Sequence, residues 1–119
     1  MKVRQLNHVA IHVKNVEKSI DFYKNILGLS LMLRPAFDFK GAWFRLGHDQ
    51  ELHIIEGRTE PVVNDRQGAH FALKVDSLAS FGEILKVNNI DHYPPKQRPD
   101  GLTQLFLIDP DGYFIELSE

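Results

Sequence analysis

Apolar and polar positions first alternate at Val9, Ile11 and Val13, with His8, Ala10 and His12 between them, as a half-buried strand requires. The rhythm then lengthens. Val16, Ile20, Tyr23 and Leu27 recur at spacings of four, three and four, opened by Asn15 and closed by Gly28, which predicts a capped amphipathic helix. Three shorter β-type runs follow at Leu29–Leu33, Ala42–Leu46 and Glu51–Glu56. The same order then repeats: His70-Phe-Ala-Leu-Lys-Val75 matches His8-Val-Ala-Ile-His-Val13 at a distance of 62 residues, and Leu78, Phe81 and Leu85 follow Asp76-Ser77 as a second helical pattern. Further β-type runs lie at about 92–98, 103–108 and 113–117. Pro94-Pro95 falls inside the first of these, where proline opposes pairing, and Asp109-Pro-Asp-Gly112 has the residues of a tight turn.

The chain therefore reads as an internal duplication of class α+β, two βαβββ modules at about 3–57 and 69–119. The segment 57–68, with proline, glycines and several charges, reads as the linker. At 119 residues the chain can bury one sizeable core, or two half-sized ones that lean on each other, and one domain is expected.

Composition narrows the chemistry. Fourteen Lys and Arg against 16 Asp and Glu, without a basic stretch, argue against nucleic acid as a partner. The longest apolar run, Leu105–Ile108, is far too short to span a membrane. The N-terminus lacks a secretory apolar region and cysteine is absent, so a cytoplasmic protein is expected. Without cysteine there are no disulfides, thiolate metal sites or thiol nucleophiles; any metal must use histidine and carboxylate. There is also no glycine-rich dinucleotide fingerprint and no serine nucleophile elbow.

Strand parity selects the candidates. If Val9, Ile11 and Val13 face their helix, His8 and His12 face away, and the same alternation turns His53, His70 and Glu116 away from the helices. Should the two sheets curl towards each other, His8, His53, His70 and Glu116 converge. Three imidazoles and a carboxylate suit a divalent zinc, nickel, cobalt, manganese or ferrous ion. The same placement also suits histidines that only make surface hydrogen bonds. Trp43 and Phe44 alternate, so one packs under the helix and the other lines the polar side. Lys96 and Arg98 are cations able to hold a substrate carboxylate or phosphate.

Taken together, Leu6-Asn-His-Val-Ala-Ile-His-Val13, Ser19-Ile-Asp-Phe-Tyr23 with Leu27-Gly-Leu29, Ala69-His-Phe-Ala-Leu-Lys-Val75 and Asp109-Pro-Asp-Gly-Tyr-Phe-Ile-Glu-Leu117 resemble the vicinal oxygen chelate superfamily over essentially the whole chain. The resemblance implies paired βαβββ modules forming a curled mixed-sheet cup around a metal. It puts the ligands on the first and last strands of each module, at His8, His53, His70 and Glu116. It also implies a homodimer that pairs the first module of one chain with the second of another.

Departures sort the superfamily's members. His12 stands where glyoxalase I enzymes usually carry an arginine for the glutathione carboxylate, and Ala10 where fosfomycin enzymes usually carry threonine. Extradiol dioxygenases are typically longer and use a three-residue iron site. The remaining expectation is a metal-dependent, glyoxalase-like lyase or isomerase acting on a small carbonyl substrate. In it Glu116 is the base, and His12, Trp43, Lys96 and Arg98 contact the substrate. The alternatives are a non-catalytic drug- or metabolite-binding protein of the bleomycin-resistance type and a ferrous dioxygenase-like enzyme.

Overall fold

Every one of residues 1–119 is described by a computed structural model, in which the chain divides into two units, Met1–Glu60 and Pro61–Glu119. Each unit is a four-stranded mixed sheet crossed by one helix, in the order strand, helix, three strands.

The first unit runs β1 (His8–Val13), α1 (Val16–Asp21), β2 (Ser30–Met32), β3 (Gly41–Leu46) and β4 (Gln50–Glu56). The sheet order is β1-β4-β3-β2, with β1 parallel to β4 and the other pairs antiparallel. A parallel neighbour cannot be reached by a hairpin, so the chain between β1 and the rest must cross over, and α1 makes that crossing. Asn15 Oδ1 caps the helix by accepting from the Lys18 amide at 2.9 Å, and Glu56 at the end of β4 accepts from the Val16 amide at 2.8 Å. After Asp21 the helix widens into a π-helical segment, Phe22–Ile26. Neighbouring Phe22 and Tyr23 both lie buried in that turn, with ring centroids 4.9 Å apart and nearly perpendicular. Gly28, at φ +71°, ends the helix in the left-handed conformation its lack of Cβ permits. Tyr23 meets Phe44 with ring centroids 6.1 Å apart, and Phe44, Leu52 and Ile54 are fully buried.

The second unit runs β5 (Phe71–Lys74), α2 (Leu78–Val87), β6 (Lys96–Gln97), β7 (Thr103–Ile108) and β8 (Phe114–Ser118), with sheet order β5-β8-β7-β6. Ser77 caps α2 through the Ser80 amide, and Glu119 accepts from the Leu78 amide at 2.9 Å. Leu105, Leu107, Ile115 and Leu117 form one fully buried sheet face. Asp109 Oδ1 accepts from the amides of Asp111, Gly112 and Tyr113, which builds the expected turn between β7 and β8.

The sixth strand is shorter than the pattern of residues 92–98 suggests. Only Lys96–Gln97 pair as a strand, with an isolated bridge from His92 to Leu107, because Pro94 and Pro95 offer no N–H to β7. The first strand of the second unit likewise starts at Phe71, leaving His70 just ahead of it, and the last begins at Phe114.

Candidate metal and substrate site

In the first unit the register sets Ala10 opposite His53 and Trp43 opposite His53, so these side chains share the sheet face that α1 does not cover. His8, His53 and Trp43 form a three-ring stack: the His8 and His53 centroids are 4.2 Å apart at 16°, and those of His53 and Trp43 are 4.0 Å apart at 1°. His8 Nδ1 lies 2.7 Å from Asn7 Oδ1, which leaves Nε2 as its outward nitrogen. His53 Nε2 is 2.9 Å from Glu51 Oε1, and Arg45 lies 3.6 Å from the other Glu51 oxygen. His53 therefore presents Nδ1, with Nε2 taken by Glu51. Trp43 is the member of the Trp43–Phe44 pair on this polar face, and Phe44 is the one beneath the helix. His12 lies on the same face and is exposed.

In the second unit His70 Nε2 and Glu116 Oε2 face each other at 3.0 Å. Glu116 is only 7% exposed, unusual for a carboxylate, and the register puts it beside Phe106, whose ring meets His70 edge-on at 5.1 Å. His70 Nδ1 is 3.0 Å from the Gly68 carbonyl. A carbonyl oxygen only accepts, so Nδ1 carries the hydrogen. Nε2 then either holds the second proton of an imidazolium or turns a lone pair towards a carboxylate oxygen. Either a shared proton or a metal ion lets the two atoms stand 3.0 Å apart, and a histidine whose far nitrogen donates to a backbone carbonyl is the usual form of a metal ligand. The donor set thus fits a divalent ion: imidazole nitrogen and carboxylate oxygen, without thiolate. Neither unit by itself gathers three such donors.

Around His70 and Glu116 opens a pocket of about 590 Å³, lined also by Arg66, Tyr93, Lys96 and Phe106. Arg98, expected at the substrate, lies beside Glu116. Its guanidinium pairs with Asp100 and approaches Glu116 Oε1 at 3.6 Å. The hydrogen bond to Arg98 holds the Asp100 carboxyl below its ordinary range, and the same bond raises the Arg98 guanidinium. Lys96 does line the pocket. Two participants escaped the sequence reading. Glu51 was findable, since it shares strand parity with His53. Arg66 lies in the linker, where no periodicity marks a direction.

The family model of the Glyoxalase/Bleomycin resistance protein/Dioxygenase superfamily matches residues 5–117. A lactoylglutathione lyase of Escherichia coli O157:H7 is 30% identical over 125 residues, covering 97% of this chain and 92% of that protein. Glyoxylase I 4 of Arabidopsis thaliana is 28% identical, over 98% of this chain and 71% of that protein. Among solved structures, the glyoxalase family protein from Enterococcus faecalis superposes with a TM-score of 0.78 at 28% identity, covering 98% of each chain.

Proposed function

The chain belongs to the Glyoxalase/Bleomycin resistance protein/Dioxygenase superfamily, and from that premise we propose that it is a divalent-metal-dependent lyase or isomerase that moves a proton on a small carbonyl substrate. The observation that carries this reading is the facing pair His70 Nε2 and Glu116 Oε2, 3.0 Å apart in a pocket, with the Gly68 carbonyl fixing the histidine tautomer. The lactoylglutathione lyases among the relatives support the same class of reaction.

In this reading His8, His53, His70 and Glu116 would hold the ion, which when bound would supply Lewis-acid chemistry for a substrate carbonyl. Glu116 keeps Oε2 towards His70. Its Oε1, oriented by Arg98 at 3.6 Å, takes a proton from the carbon beside the carbonyl and returns it to the product. Phe106 and the burial of Glu116 keep water from that proton. Trp43 and His12 contact the substrate from the first unit. In this reading each unit supplies two donors, and the ion is shared in a homodimer between the first unit of one chain and the second of another.

The test is solvent exchange. With hemithioacetals of methylglyoxal in deuterated water, the metal-loaded protein is expected to incorporate deuterium, and Glu116→Gln, which keeps an oxygen but accepts no proton, is not. Turnover unchanged in Glu116→Gln, or no metal in the protein purified without a histidine tag, overturns the reading. A non-catalytic binding role has one observation in its favour, the Trp43–His53–His8 stack, which is a flat shelf for an aromatic ligand. Retention of such a ligand without any exchange would establish it.

A further inference from the structure

Glu116 is met at both oxygens: His70 faces Oε2 at 3.0 Å, and the Arg98 guanidinium approaches Oε1 at 3.6 Å. The second contact matters because the last torsion of a glutamate side chain is broad, so a carboxylate held at one oxygen swings about it. Arg98 supplies that contact only while its own long side chain stays put, and 37% of that side chain is exposed. Asp100 is what holds it. Asp100 Oδ1 accepts from Arg98 Nε at 3.1 Å and Oδ2 pairs with the terminal nitrogen Nη2, a two-point contact that leaves Nη1 for Glu116.

Asp100 is fixed in its turn by the bend between β6 and β7. The Gly101 amide donates to the Arg98 carbonyl at 2.9 Å, and the Arg98 amide to the Leu102 carbonyl at 2.7 Å. Pro99 presets φ at the first corner, and Gly101, at φ +90°, takes the conformation that lets the chain re-enter β7. Asp100 Oδ1 also accepts from the Leu102 amide at 3.3 Å, so the carboxylate is tied to its own turn as well as to Arg98. We infer that Asp100 is a positioning residue for Glu116: the turn Arg98-Pro-Asp-Gly101 fixes Asp100, Asp100 fixes the Arg98 fork, and the fork fixes the plane of the Glu116 carboxylate. This rests on the reading of Glu116 as the group that carries the proton, and adds to it a residue that does not line the pocket. A surface turn thereby sets the aim of a buried carboxylate.

The test reads Glu116 itself, by carbon-13 NMR of the side-chain carboxyl in full chains labelled at glutamate, metal-free and at one neutral pH. The signal is assigned by its loss in Glu116→Gln. Asp100→Asn keeps the shape of the turn residue and removes half of the two-point contact, and Arg98→Met removes the fork; each should displace the Glu116 signal. In the Arg98→Met background Asp100→Asn should displace it no further, because the two residues act in series. Glu83→Gln, which removes the same charge from α2, should leave it in place. With the metal-loaded protein and the hemithioacetal, Asp100→Asn and Arg98→Met should each lower kcat about tenfold at nearly constant KM, and the double variant should lose no more than either alone. A Glu116 signal unmoved by Asp100→Asn, one moved equally with and without Arg98, or kcat losses that multiply overturn the assignment. Failure of the proton-transfer reading would appear instead as a wild type that shows the NMR coupling and exchanges no deuterium.

Discussion

His70 and Glu116 hold their Nε2 and Oε2 atoms 3.0 Å apart while the Gly68 carbonyl accepts from the opposite side of the imidazole. The ring is thereby committed to one tautomer before anything binds. On the proposed metal reading, His70→Ala should weaken binding of zinc or nickel by about a hundredfold or more. His92→Ala should leave it unchanged, because His92 is spent on the Ile90 carbonyl. Competition against a chromogenic chelator measures both. Equal affinities in wild type and His70→Ala would remove His70 from the metal.

The proposed sharing of the site between chains predicts complementation. His8→Ala and Glu116→Ala chains, each inactive alone, should regain activity when unfolded and refolded together. Half of the chains pair as heterodimers at random mixing, and one of the two sites in each such dimer is intact, so about a quarter of wild-type activity is expected. Recovery indistinguishable from zero, with dimers present by light scattering, would put all four donors in one chain.

Ser19 is fully buried in α1, and its hydroxyl has no hydrogen-bond partner. Ser19→Ala removes an unpaired polar group and adds helix propensity, so it should raise stability by about 1 kcal/mol. A urea midpoint that rises with an unchanged slope is the expected signature. A lower midpoint would show that the hydroxyl has a role in the folded chain.

The Asp100–Arg98 pair predicts a pH effect of definite sign. The Asp100 carboxyl is depressed in the folded chain, so its contribution is present above its unfolded value and is lost as pH falls through the lower, folded one. Arg98 is raised, so its contribution is complete below its unfolded value and fades only in strong alkali, beyond the neutral range. Asp100→Asn should therefore flatten the acid limb of the stability curve and leave its shape between neutrality and mild alkali unchanged. Melting temperatures measured across the acid range check this.

Much of the fold was legible because period two and period 3.6 leave different marks, and because each mark occurs twice. Val9, Ile11 and Val13 turned inward as their alternation required, and the Asn15 and Ser77 caps stand where a polar residue precedes an apolar run. The π-helical turn was not legible: Phe22 beside Tyr23 looks the same in a sequence whether one or both are buried. For the site, parity is a property of one strand and can be read from it. The partner of a polar atom is set by neighbours, and for that reason the Glu51 hold on His53 and the Asp100 hold on Arg98 emerged only with the structure.

The carboxylate that closes each helix carries one more consequence. Glu56 reaches the Val16 amide and Glu119 reaches the Leu78 amide, so the last strand of each half returns to tie down its first helical residue. Val16 and Leu78 are 62 residues apart, like the caps before them, but Glu56 and Glu119 are 63 apart, and the residue in true register with Glu56 is Ser118. The knot was kept while the rope slipped by one link. That both halves still tie themselves off, from different addresses, marks each as a piece that brings its own fastening, and makes the halves natural units for exchange with those of related chains.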